Sequence, residues 1–142
     1  MRPRACLVAV ILALLLTGCG SGSFKTPAVS GRVTLDGKPL ANATVAFVPE
    51  ARPGDKNRPP SSAGITDQDG RYSLALSIDP ETTGAVVGKH KVMITLGSQG
   101  GSDDTRPTFH KQLPERYNRR TELECEVPAN GRDDANFDLK WK

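Results

Sequence analysis

From Ala28 onward apolar residues recur at every second position rather than at every third or fourth, and that period confines the chain to strands. Val29, Gly31, Val33 and Leu35 alternate with Ser30, Arg32 and Thr34, and Ala43, Val45 and Phe47 with Thr44, Ala46 and Val48. Residues 63–66 make a short third strand. Tyr72, Leu74 and Leu76 then oppose Arg71, Ser73 and Ala75 in a fourth. In a fifth strand, 88–96, His90, Val92, Ile94 and Leu96 share one face; 121–127 and 136–141 supply the sixth and seventh. Asp36-Gly37-Lys38-Pro39 reads as the turn between the first two strands, and Asp67-Gln68-Asp69-Gly70 as the turn that makes the third and fourth a hairpin. Residues 49–60 are a polar, proline-rich loop. No window carries a convincing helical period, although 112–117 has room for a short helical turn. The expectation is all-β: a seven-stranded antiparallel, Ig-like β-sandwich.

Ahead of this pattern stands a different composition. Arg2 and Arg4 precede an apolar run from Leu7 to Leu16, and small residues follow, the layout of a cleaved secretory signal over 1–18. A spanning helix needs about 20 apolar residues. Gly20-Ser21-Gly22-Ser23 ends this run well before that, and 19–27 has the composition of a flexible tether. The folded domain is expected over 28–142. Leu16-Thr17-Gly18-Cys19 resembles the lipobox of bacterial lipoproteins, which implies a diacylglycerol on the Cys19 thiol and further acylation of the new N-terminus, palmitate being the expected kind of chain. One acyl chain holds a protein to a bilayer only marginally; two or three hold it firmly. Gly20 behind the cysteine, in place of Asp, resembles lipoproteins passed on to an outer membrane.

Removal of 1–18 takes two arginines and no acidic residue, leaving 17 basic against 16 acidic side chains. Only Arg119-Arg120 adjoin, so no nucleic-acid footprint is expected. Of three cysteines, Cys6 leaves with the signal and Cys19 takes the lipid. Cys125, in phase with Leu123 and Val127, is expected inside as a small hydrophobe. Glu122, Glu124 and Glu126 alternate with it and form a solvated acidic face.

Sites for chemistry are sparse. Asp67-x-Asp69-Gly70 begins like a calcium loop but lacks the later ligands, so a polar turn is the better account. His90 and His110 are the only histidines, and with Cys125 they lack the spacing of a zinc site. There is no Gly-x-Ser-x-Gly elbow and no separable carboxylate pair. No catalytic residue, metal or cofactor is expected. The connection 97–120 is long enough to be functional, and it holds Phe109, His110, Leu113 and Tyr117. With Trp141 these form a candidate partner surface, the alternative being that the loop aromatics fold back over a sheet edge.

Two blocks, Val29-Ser30-Gly31-Arg32-Val33-Thr34 with Asp36-Gly37-Lys38-Pro39-Leu40-Ala41-Asn42-Ala43-Thr44-Val45, and Thr66-Asp67-Gln68-Asp69-Gly70-Arg71-Tyr72-Ser73-Leu74, resemble the opening of carboxypeptidase regulatory-like domains. The likeness covers about residues 29–96 and implies a transthyretin-like, prealbumin-type sandwich. Residues 113–118 and 136–139 resemble the C-terminal half of small envelope lipoproteins that carry such a domain. The enzymatic branch of the transthyretin-like group, which hydrolyses hydroxyisourate, ends in Tyr-Arg-Gly-Ser; this chain ends in Asp138-Leu139-Lys140-Trp141-Lys142 and departs from it. Related pilin-type domains form Lys-Asn isopeptide bonds, but Asn136 is out of phase with Phe137 and is expected to be exposed. The resemblance implies a non-enzymatic, lipid-anchored cell-envelope protein, held at the membrane through Cys19 and facing an envelope protein or glycan. The alternative is a carbohydrate- or peptide-binding module of an uptake or secretion apparatus. A hydrolase is the distant third.

Overall fold

The computed structural model describes residues 24–51, 53–54, 57–97 and 112–142. The expected signal 1–18, Cys19, and the stretch with Phe109 and His110 lie outside the described residues. Ten strands are present among them: β1 Ser30–Leu35, β2 Lys38–Pro39, β3 Ala43–Pro49, β4 Ser62–Ile65, β5 Arg71–Ser73, β6 Ala75–Leu76, β7 Asp79–Thr83, β8 Gly88–Leu96, β9 Glu124–Val127 and β10 Phe137–Leu139. One 3₁₀ turn, Glu115–Tyr117, falls within the expected helical stretch. No described helix is long and apolar enough to cross a membrane.

The strands form two sheets. One runs β10-β1-β2 with β5 also paired to β1; the other runs β7-β6-β4-β3-β8-β9. Val33, Tyr72 and Leu139 of the first sheet meet Val45, Phe47, Val92, Ile94 and Val127 of the second in one core cluster. The alternation read from the sequence thus sends its apolar face inward in both sheets. Each fully buried aliphatic or aromatic side chain of this kind is worth about 1.5–3 kcal/mol. The spine is the β3–β8 pair, in register from Ala43 opposite Leu96 to Pro49 opposite His90.

Five expectations change. The turn after β1 is only Asp36-Gly37, with φ of 50° and 81°. Positive φ at both central residues gives the tight hairpin form whose twist matches its strands, so Lys38 and Pro39 already pair, with Leu35 and Thr34. The fourth strand is not one half of a simple hairpin. Arg71–Ser73 pairs with β1 in one sheet while Ala75–Leu76 pairs with β4 in the other. Leu74, 1 % exposed, is the buried pivot between them, its N–H donating to Val29 O and its carbonyl accepting from Gly84 N. β7 has no apolar residue and so no period to read; it is an exposed edge strand carrying proline and acids, a usual protection against edge-to-edge pairing.

The pairing is also not wholly antiparallel. β10 lies parallel to β1, Val33 opposite Phe137 and Leu35 opposite Leu139, and a parallel bridge joins Val29 to Arg132. A parallel pair needs a long crossover. Here almost the whole domain is that crossover. The end of the expected tether is laid down as well: Lys25 O accepts from Val87 N and Pro27 O from Ala85 N, both at 3.2 Å.

Candidate ligand groove on the β1–β5 face

The first sheet carries a joint at Gly31. Tyr72 is its register partner on β5, and the Tyr72 hydroxyl donates to Ala135 O at 2.6 Å inside the core. A Cβ on Gly31 would sit 1.9 Å from that same oxygen, so only glycine lets the 132–136 segment close onto β1. Burial pushes the Tyr72 phenol well up from its ordinary value of 10.0, the neighbouring Cys125 adding to this and Arg132 opposing it. The hydroxyl therefore stays a donor.

Around this joint the backbone is completed by side chains. Arg32 N donates to Asn136 Oδ1 at 2.9 Å, the amide standing in where a ladder carbonyl would be. Across the strand pair, Asp67 Oδ1 accepts from Asp69 N and Arg71 N, both at 2.9 Å, which closes the turn into β5. The polar-turn reading of Asp67 to Gly70 is the arrangement seen.

Between these two walls lies an open groove of about 600 Å³. Its floor is the outer face of β1 and β5, where Ser30 is paired with Ser73 and Arg32 with Arg71. Ile65, 69 % exposed, and Asp67 line one side; Asp133 and Asn136 line the other. Arg32 Nε donates to Asp69 O at 2.9 Å, which holds that guanidinium over the floor. The groove holds hydrogen-bonding and charged groups, and no nucleophile set against a base.

The residues singled out from the sequence fall elsewhere. Leu113 and Tyr117, expected in a candidate partner surface, are 4 % and 8 % exposed and belong to the core. Both fold back into the core instead of standing on a surface. The Tyr117 hydroxyl donates to Lys140 O at 3.1 Å and accepts from Lys140 N at 2.9 Å, and the Arg116 guanidinium, 4.9 Å from the Tyr117 ring centre, donates to Lys140 O at 2.7 Å. Trp141 is half-buried against the core, its backbone N–H donating to Asp36 Oδ1 at 3.4 Å. None of the three lines the groove.

His90 is 1 % exposed, tilted against Phe47, with Nδ1–H donating to Gly88 O at 3.0 Å. It stands opposite Cys125 in the β8–β9 register. Cys125 is buried as expected, and Arg132 Nη1 lies 3.5 Å from its sulfur. Burial raises the thiol above its ordinary value despite that arginine. Among the described residues no three His, Cys, Asp or Glu side chains are grouped to hold a metal. The acids of the sixth strand are exposed, and Glu124 is ion-paired with Lys91, which raises the Lys91 pKa and lowers that of Glu124. Asn136 is exposed, as its phase predicts, with its amide engaged by β1.

Sequence reading passed over Ser30, Arg32, Arg71 and Ser73. A signal was present: they are the polar positions of the first and fourth strands, but only the register brings them to one patch. No family model matches the chain, and comparison with curated proteins and with solved structures gives no match. The likeness to carboxypeptidase regulatory-like domains rests on the two sequence blocks quoted above.

Proposed function

We propose that the chain is a non-enzymatic, lipid-anchored cell-envelope protein whose single transthyretin-like, carboxypeptidase regulatory-like domain binds or spaces other envelope components. The observation that carries this is Leu16-Thr17-Gly18-Cys19 behind a ten-residue apolar run and two arginines. The lipid on Cys19 holds the protein at a membrane, the outer one where the cell has two, with the domain facing periplasm or cell surface. The non-enzymatic part draws support from His90. His90, the one imidazole among the described residues, is shut in the core with its Nδ1 proton on Gly88. The groove favours a second reading, a module that binds a polar ligand such as a glycan or peptide.

Cys19→Ser tests the anchor. The wild-type chain is expected to label with radioactive palmitate and to partition into the detergent phase; the variant is expected to do neither. Equal labelling and equal fractionation of the two would refute it.

A further inference from the structure

The charge pattern of the groove floor points to one chemistry. Arg32 and Arg71 are register partners on antiparallel strands, and both are exposed. Such partners have Cβ atoms only about 4.5–5.5 Å apart, and like charges at that spacing disfavour the pair. Interleaved carboxylates would relieve them, and acids are close by. Yet neither guanidinium is ion-paired among the described residues, whose salt bridges join Lys91 to Glu50 and Glu124, Arg120 to Glu115, and Arg132 to Asp134. Asp67 turns Oδ1 onto its own turn, and Asp69 offers Arg32 its backbone carbonyl rather than its carboxylate.

The rest of the floor supplies further donors. With its Nε on Asp69 O, Arg32 keeps both Nη nitrogens for a ligand. Asn136 spends Oδ1 on Arg32 N and keeps its amide N–H groups. The Ser30–Ser73 pair adds two hydroxyls beside the arginines. Guanidinium forks, hydroxyls and an amide lining one groove suit a tetrahedral oxyanion, which accepts from several directions. Asp67 and Asp133 at the walls are acceptors placed for the hydroxyls of whatever carries it.

We propose that this groove binds the phosphate ester of a polyol, with the phosphate between Arg32 and Arg71 and the polyol hydroxyls toward Asp67 and Asp133. The inference rests on the reading of the protein as an envelope binding module and names the chemistry it binds. The same polyol–phosphate linkage occurs in a free monoester and in the diester headgroup of phosphatidylglycerol.

The test uses the full chain, purified in mild detergent and titrated with glycerol 1-phosphate at fixed ionic strength, with glycerol as the control. Saturable binding is expected, followed through the arginine Nε resonances. Arg71→Gln and Arg32→Gln should each weaken it about tenfold or more, the scale of a lost charged hydrogen bond. Arg119→Gln, outside the groove, should leave it unchanged. Arg71→Gln should also melt no lower than wild type, because it removes a like-charge contact; that separates a ligand role from a structural one. Flotation of Cys19→Ser with phosphatidylglycerol vesicles but not phosphatidylcholine vesicles, lost on adding Arg71→Gln, assigns the ester to a headgroup. Binding of the soluble ester without flotation assigns it to a free or glycan-borne source. No saturable binding by wild type, or equal loss in Arg71→Gln and Arg119→Gln, overturns the proposal. Palmitate labelling is scored separately: a labelled protein that binds no ester refutes the site alone, and an unlabelled protein that binds it refutes the anchor alone.

Discussion

Gly31→Ala should be among the most damaging single-methyl additions to this domain. The added carbon would lie 1.9 Å from Ala135 O and 2.4 Å from its carbonyl carbon, backbone atoms that no rotamer change can move. Carbon–oxygen contacts normally stop at about 3.3 Å, so the 132–136 segment must retreat by roughly 1 Å or more. That retreat breaks the 2.6 Å bond from the Tyr72 hydroxyl and loosens the 3.1 Å bond from Ala135 N to Ser30 O. Overpacking costs about 1–3 kcal/mol, and the lost buried hydrogen bond adds about 0.5–1.5. The sum, about 2–4 kcal/mol, is a large share of an ordinary 5–15. At this chain length it corresponds to a melting temperature lower by roughly 8–16 °C, read by circular dichroism. A double-mutant cycle sharpens the test. Tyr72→Phe alone should cost about 1–2 kcal/mol through the orphaned Ala135 carbonyl, but almost nothing in the Gly31→Ala background, where the bond is already gone. A Gly31→Ala melt within about 2 °C of wild type, or full additivity of the two changes, would refute the joint.

Two further outcomes follow from buried groups. Burial holds the His90 pKa below its ordinary 6.5, against the opposing pull of the Gly88 carbonyl and Glu50, so the unfolded chain takes up its proton first. Stability should therefore be unaffected by His90 above about pH 6.5 and fall as the pH drops from there toward the lower folded value. His90→Gln should flatten that slope in urea midpoints, and an unchanged slope would count against it. Cys125, buried with a raised pKa, should react with a thiol reagent only on unfolding. Cys125→Ser should cost only about 1 kcal/mol, because Arg132 Nη1, 3.5 Å from the sulfur, can donate to the hydroxyl; fast native labelling would show the strand out of register.

The layers of this fold were legible because period two is a direct imprint of a half-buried strand. β3 and β8 have long, clean alternation, and their inward residues Val45, Phe47, Val92 and Ile94 lie where the pattern puts them. What escaped has a physical cause in each case. β7 is polar throughout, so burial leaves no mark on it. Ser73 and Ala75 share one strand's alternation yet belong to different sheets, because the pattern records which face is buried and not which neighbour is paired. The parallel closure of β10 on β1 joins distant parts of the chain, and no local signal encodes the direction of such a pair. Loop aromatics suggest a surface by composition, but Tyr117 is spent on capping Lys140 and filling the core.

Two of these misreadings, the switch between sheets and the parallel closure, coincide with the groove, and the coincidence has a reason. Its two walls are the turn that carries the chain into β5, just before the switch between sheets, and the 132–136 segment that brings β10 in parallel. At both places regular pairing is interrupted and side chains replace the missing backbone partners, Asp67 in one and Asn136 in the other. A continuous ladder would leave a flat face. Here the interruptions raise two walls around four polar floor residues, Ser30, Arg32, Arg71 and Ser73, whose identities the core does not dictate. Residues free of packing constraint, held by a frame that Gly31, Tyr72 and Ala135 fix rigidly, are where a binding specificity can change without cost to the fold.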